Sequence, residues 1–288
     1  CHLFGSNWIA KPIVALSGGR VIYHHDQCND SFRAGSPLAT LVDAWTNQLS
    51  TRVLAVSRSV ERFAVDIEGV DPGRVSYLPN SVDLTEFRPA SGDERAAARR
   101  EFGLPEDGLV VGGVGRFVFQ KNFDLLIAAM GLVLAEREDV WLVLFGSGPD
   151  EAALKERVND LGEFGKRVVF AGTVRDRRAI FAALDLLVLP SRFEGLPLTV
   201  LEAMASGVPV VATAVDGMRE IVAEMPGVAR LVAPGDEVGL RGAIAGLIGD
   251  AGARERLAGA ALPMVRERFD AEKLARELEQ LYEADCSE

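Results

Sequence analysis

Only three cysteines stand among the 288 residues, Cys1, Cys28 and Cys286. The number is odd and no pair shows a C-x-x-C or other metal-ligand spacing, so neither a disulfide framework nor a cysteine zinc site is indicated, and a reducing compartment, the cytoplasm by default, is expected. Long apolar runs are also lacking. Nothing approaches the roughly 20 residues that a membrane-spanning helix needs, and no basic stretch leads into an apolar one at the start as in a secretory leader. Positive charge is in deficit, with 31 Lys and Arg against 42 Asp and Glu and a formal net charge of -11. That balance argues against a broad grip on nucleic acid or anionic lipid, which needs clustered cations to displace counterions. An anionic ligand therefore needs a local site. Low-complexity tracts are missing too, and so is an initiator methionine: the chain opens at Cys1 and runs directly into sequence of structured character, so preceding residues are expected.

What is present reads as globular. Hydrophobic residues make up 48% and charged residues 25% of the chain, a balance and length sufficient for two domains. From residue 109 onward, short apolar β-rich runs alternate with amphipathic helical stretches, the pattern of a parallel sheet with crossover helices. Strands are predicted at 109–114, 140–145, 168–170, 186–189, 208–212 and 229–232. Helices are predicted at 123–136, 150–161, 175–183, 199–206 and 218–223. Six such units make one complete doubly wound domain. The earlier part repeats the alternation less fully, with strands at 20–24, 52–56 and 74–78 and helices at 38–48 and 59–68, too few for a covered parallel sheet. The charged stretch ASGDERAAARR at 90–100 follows Pro89 and has no run of large apolar residues, so it marks the domain boundary and reads as a solvated helix. The division expected is a partial N-terminal domain at 1–90, a complete domain at 91–268 that ends in helices 237–248 and 252–268, and a final helix within 269–288 that is free to pack back on the first domain.

The chemistry-bearing residues fall at the ends of predicted strands. In PSRFEGLPLTVLEAMASGVPVVAT a strand ends at Pro190, a glycine-containing loop follows, and a helix starts near Leu198. A helix N-terminus at the carboxyl edge of a parallel sheet offers unpaired N–H groups and a positive dipole end to phosphate or a sugar hydroxyl. Glu194 lies in the loop and Glu202 one turn into the helix, so the two carboxylates can address different hydroxyls of one ligand. Glu202 stands among Leu201, Ala203, Met204 and Ala205, where solvation is unnatural for an acid; an exposed helix acid is the bland alternative. In GVGRFVFQKNFDLLIAAM, Arg116 follows Gly115 at a strand end and Lys121 opens a helix, two cations able to neutralise a diphosphate. Surface charge is their alternative. Gly146, Ser147 and Gly148 after the second strand, Asp216-Gly217 after the fifth and Pro234-Gly235-Asp236 after the sixth let a backbone approach a ligand, or form plain tight turns.

Taken together, GRFVFQKNFDLLIAA, FGSGP, FAGTV, the Pro190 to Thr213 stretch and VDGMREIV resemble the family 4 glycosyltransferases of the GT-B fold. The resemblance covers the C-terminal half in order and spacing. It implies an α/β fold of two Rossmann-like doubly wound domains facing a cleft, the N-terminal one incomplete here. It implies that Arg116 and Lys121 hold the donor diphosphate, Glu202 the ribose and Glu194 the transferred sugar, with backbone contacts from Gly195 and Leu196 and further donor contacts from Pro197 and Leu198. The base would be read near Thr173 and Val174. In the N-terminal half VIYHHDQ, LAVSRSVERF and YLPNSVDLTEFRP resemble family segments, so that His25 takes the place of the histidine near the anomeric carbon, and Asn80 and Asp83 match the interdomain segment. Ser81 replaces the usual glycine, which requires that the backbone there avoid φ > 0. His24 alternatively packs, and Asp83 alternatively caps the turn that follows. Nothing matches the family's opening strand and glycine-rich loop, so about one quarter to one third of a full member is expected to precede this sequence.

The activity implied is transfer of a hexose or related sugar from a UDP-, GDP- or ADP-sugar to a hydroxyl acceptor, with retention and with no metal or other cofactor. The acceptor implied is a cell-envelope glycan or a lipid-linked glycan, at the cytoplasmic side of the membrane, and any peripheral membrane contact would lie in the preceding segment. Two alternatives stay open: a non-catalytic nucleotide-sugar-binding partner subunit, and a sugar-nucleotide epimerase of the same fold.

Overall fold

A computed structural model describes residues 11–14, 16, 22–26 and 37–287. Cys1, Cys28 and the first residues of the strand expected at 20–24 lie outside them. The described chain forms two compact units. One gathers the residues before Val82 with Glu194–Pro197 and the C-terminal helix; the other gathers Val82–Phe193 and Leu198–Asp270.

The second unit is built on a six-stranded parallel sheet of β4 (Leu109–Val114), β5 (Val140–Phe145), β6 (Val168–Gly172), β7 (Leu186–Leu189), β8 (Val210–Thr213) and β9 (Arg230–Val232), in the order β6-β5-β4-β7-β8-β9. The strands are nearly continuous apolar runs because both faces are covered. Leu142, Leu144, Val188 and Val211 pack under α4 (Phe123–Glu136) and α9 (Glu237–Gly249), whose Leu126, Met130, Val133, Leu240 and Ile244 are buried in the same core. Strand order reverses at β4 and β7, and at such a switch point the connecting loops part and leave a crevice at the carboxyl ends. Boundaries differ from expectation where polar groups decide them. Strand β8 starts at Val210 because Pro209 has no N–H to give the ladder, although its carbonyl accepts from Leu187 N at 3.0 Å. The helix expected from 175, α6 (Arg177–Ala183), begins two residues later because Asp176 caps it, Oδ1 accepting from Ala179 N at 3.2 Å.

The stretch expected as a solvated helix is α3 (Gly92–Glu101), opened by a capping box between Ser91 and Glu94. Its solvation fails on one face, at Ala98 and Arg99. Arg99 is 1% exposed and spends its guanidinium on Ala183 O (3.1 Å), Glu106 O (2.8 Å), Gly108 O (3.0 Å) and the Asp185 carboxylate (2.6 Å). A charge pattern alone cannot reveal a buried cation whose partners are main-chain carbonyls. Residues 82–90 also join this unit, Val82 N donating to Phe269 O at 2.8 Å.

The first unit holds a three-stranded parallel sheet of β1 (Tyr23–Asp26), β2 (Arg52–Ala55) and β3 (Val75–Tyr77), with α1 (Pro37–Asn47) and α2 (Arg58–Asp66) in the connections. The C-terminal helix α11 (Ala271–Ser287) belongs to it: Leu274 packs on Leu54 and Leu78, and Asp285 accepts from Tyr23 Oη (2.5 Å) and Arg52 Nε (2.7 Å). Among the described residues no helix is long and apolar enough to cross a membrane.

Candidate functional site

Three loops at the carboxyl edge of the six-stranded sheet are in backbone contact. Gly115 N donates to Phe145 O (3.0 Å), Phe117 N to Ser147 O (2.9 Å), Asp150 N to Phe117 O (3.1 Å) and Gly146 N to Gly172 O (2.7 Å). Glycine permits this closeness. A Cβ at 146 would lie 1.9 Å from Gly115 O, and one at 148 would lie 2.3 Å from Phe117 O; Gly146 also holds φ +136, which L side chains rarely adopt.

The loops enclose a pocket of ≈ 380 Å³ whose wall includes Gly115, Arg116, Gly146, Ser147, Thr173 and Val174. On its wall Ser147 Oγ and Thr173 Oγ1 are hydrogen-bonded to each other at 3.1 Å. Arg116 is exposed, and the stem of Lys121 lies over Gly115, where an added Cβ would sit 3.4 Å from its Cδ. The pocket thus gathers six of the predicted donor residues, with Lys121 and Gly148 against the same backbone.

Glu202 projects from α7 (Leu198–Ala205) and is 7% exposed. It does not line the pocket directly; Arg177, which does, grips it. Arg177 Nε donates to Oε1 at 3.0 Å and its second nitrogen donates to Oε2. Burial pushes the Glu202 carboxyl above its ordinary pKa, Arg177 pulls the other way, and the negative charge of Glu86 adds to the rise.

The other predicted residues are grouped elsewhere. Glu194, Gly195, Leu196 and Pro197 belong to the first unit. There Asn80 Nδ2 donates to Leu196 O at 2.7 Å, and Glu194 is buried. Leu198 is the first residue of α7. Asp83 follows its bland alternative: Oδ1 accepts from Thr85 N (2.8 Å), Thr85 Oγ1 (2.7 Å) and Glu86 N (3.3 Å), which holds its carboxyl below the usual pKa. His25 is half-buried on β1, paired in register with Leu54. His24 packs, buried with Nδ1 2.9 Å from Lys11 Nζ and 3.1 Å from Asn47 Oδ1. Ser81 meets its backbone condition, since Asn122 is the one non-glycine residue with positive φ among those described.

Sequence reading missed Arg177 and Thr199, which share the pocket wall, and a polar stitch behind it. Asn122, at φ +53, donates Nδ2 to Pro190 O (3.3 Å) and accepts from Arg192 (2.9 Å). Gln120 Nε2 donates to Phe193 O at 3.0 Å, and the Arg192 guanidinium stacks 4.2 Å from the Phe119 ring centre. An Asn at the start of a helix was the available signal, because Asn tolerates the left-handed region better than other side chains. Arg177 gave none, being one of three arginines in the five residues RDRRA.

Residues 108–250 match the family described as glycosyl transferases group 1. An uncharacterized glycosyltransferase of Methanocaldococcus jannaschii is 31% identical over 98% of this chain and 72% of its own length. A lipopolysaccharide core biosynthesis mannosyltransferase of Rhizobium meliloti is 34% identical over 83% of this chain and 68% of its own length. The chain spans half or less of several further curated relatives. Among solved structures, HepE of Anabaena in complex with UDP superposes with a TM-score of 0.86, covering 98% of this chain and 77% of that one at 23% identity, which shows a shared GT-B fold. Two relatives matched over more than two thirds of their own length, and a family match that takes in every strand of the six-stranded sheet, mean that the chain belongs to the group 1 glycosyl transferases.

Proposed function

We propose that this chain carries the donor site of an enzyme that moves a sugar from a nucleoside-diphosphate sugar to a hydroxyl acceptor. The observation that carries the reading is the pocket at the sheet's carboxyl edge, where Arg116 and paired hydroxyls face the same space as the Arg177 fork on buried Glu202. Arg116 and Lys121 would neutralise the diphosphate, and Glu202 would accept from the ribose hydroxyls. In such a transfer the bond from the anomeric carbon to the diphosphate breaks and one to the acceptor oxygen forms. The acceptor proton passes to the departing phosphate on the same face, which gives retention. Glu194 would hold the sugar, and His25 would lie near its anomeric carbon. The leaving charge then falls to Arg116 and Lys121, with no metal or other cofactor in the scheme. A UDP donor is favoured by the UDP held in HepE, and a hexose with a cell-envelope acceptor by the mannosyltransferase of Rhizobium meliloti. Such an acceptor would put the reaction at the cytoplasmic face of the membrane.

Calorimetric titration with UDP, GDP, ADP and their sugar conjugates tests the reading. Saturable binding to one base is expected, weakened in Glu202→Ala by about 1–3 kcal/mol, the cost of leaving buried polar groups unpaired. Absence of binding to all of them by the folded chain would remove the donor site from the scheme.

A further inference from the structure

Of the residues on the pocket wall, Arg177 is the one that grips the buried Glu202 carboxylate. Its side chain is 44% exposed, yet its fork closes on both oxygens of a carboxylate that is 9% exposed. It stands at the first position of α6, held there by the Asp176 cap, and its outer side lines the pocket. A carboxylate offers about four lone-pair positions. The fork takes two, one on each oxygen, and leaves one on each for neighbouring hydroxyls. Without the fork, a group so buried would be drawn toward its protonated form and free to change rotamer, and a protonated carboxyl no longer presents two equivalent acceptors.

We propose that Arg177 is a positioning residue of the donor site, its guanidinium fork orienting the Glu202 carboxylate so that one lone pair of each oxygen faces the ribose 2′- and 3′-hydroxyls of the nucleotide. The inference rests on the donor-site reading above. It also assigns Lys a poorer fit at position 177, because an ammonium is a point charge and cannot hold both oxygens in one plane.

The test is calorimetric titration of the wild-type chain, R177A, R177K, E202Q and R177A/E202Q with UDP, GDP and ADP, each beside its 2′,3′-dideoxy form. The expected result is that R177A weakens the ribonucleotide about tenfold, the scale of one charge-assisted hydrogen bond, and leaves the dideoxy form unchanged. R177K falls between, and R177A costs nothing further once E202Q is present. The R177A deficit should widen as pH falls, as the unpaired buried carboxyl takes up a proton. Equal weakening of the ribo and dideoxy forms would overturn the proposal in favour of direct contact between Arg177 and phosphate, and no weakening would show that Glu202 is oriented without it. If R177A does not fold, the ribo-against-dideoxy comparison in R177K decides. The E202Q arm stands apart: if that variant prefers the ribo over the dideoxy form as strongly as the wild type does, the reading of Glu202 itself falls, and the role of Arg177 with it.

Discussion

Gly146 and Gly172 both hold positive φ, +136 and +69, but a side chain at each would meet different surroundings. At 172 an added Cβ touches nothing within 4 Å; at 146 it would collide with Gly115 O. Alanine at 172 should therefore cost only backbone strain, on the order of 1 kcal/mol. Alanine at 146 must also push the first loop away from the second, and with it the cation at Arg116. Thermal unfolding and calorimetric titration run on both variants should show modest destabilisation at 172 and a larger one at 146, with loss of nucleotide binding, tenfold or more by rough estimate, at 146 only. Equal affinities would mean that these loops do not hold the ligand. The glycines themselves were readable as places of close approach, since FGSGP follows an apolar strand. Which backbone atom each one approaches was not readable, because Gly115 O and Phe117 O reach them only through strand pairing.

Two helices show how charge fixes an element. Helix α3 carries no large apolar stripe and is held through Arg99, whose partners include Asp185; that carboxylate also accepts from Arg95 and from Val110 N at 2.8 Å. Arg99→Met keeps the volume but strands several buried carbonyls and part of Asp185. Urea unfolding should report a loss of about 3–5 kcal/mol, as for a broken buried ion pair; a loss below 1 kcal/mol would make the network ornamental. Helix α11 is fastened by Asp285 and Tyr23. Arg52 beside it, with Tyr23, holds the Asp285 carboxyl at about 2, and burial with the Asp285 charge lifts the Tyr23 hydroxyl to about 12. The lowered acid contributes stability above its ordinary value of 3.8 that is lost as pH falls toward about 2. The raised phenol contributes stability below 10.0 that is lost as pH rises toward about 12. Amide exchange along residues 271–287 should thus quicken at both extremes, and Asp285→Asn should flatten the acid limb; an unchanged acid limb would remove Asp285 as the fastener. Both helices were legible in outline, α3 from its charged stretch and α11 from its apolar spacing, but these attachments were not.

For the molecule as a whole, the pocket is lined entirely by the six-stranded unit. A nucleoside diphosphate at one hundred times its Kd should then add about 2.7 kcal/mol to that unit's stability. Amide exchange should show the protection in residues 109–232 and leave β1, β2 and β3 at their unliganded rates; protection spread evenly over both units would contradict a site built by one. The sequence by itself determined the parallel α/β architecture, because buried strands must be runs of Val and Leu and the crossovers must be amphipathic. It determined the family through local stretches at strand ends, and within them Arg116, Gly146, Ser147, Thr173 and Val174 as neighbours of one pocket. Tertiary structure alone decided that Glu202 reaches the pocket through Arg177, that Arg99 is core rather than surface, and that Glu194–Pro197 groups with Asn80. The physical reason is common to all three. Apolar burial leaves a periodic signature in one segment, whereas a polar group is defined by partners that lie as far as 116 positions away in the chain and appear only when the fold brings them within hydrogen-bonding distance.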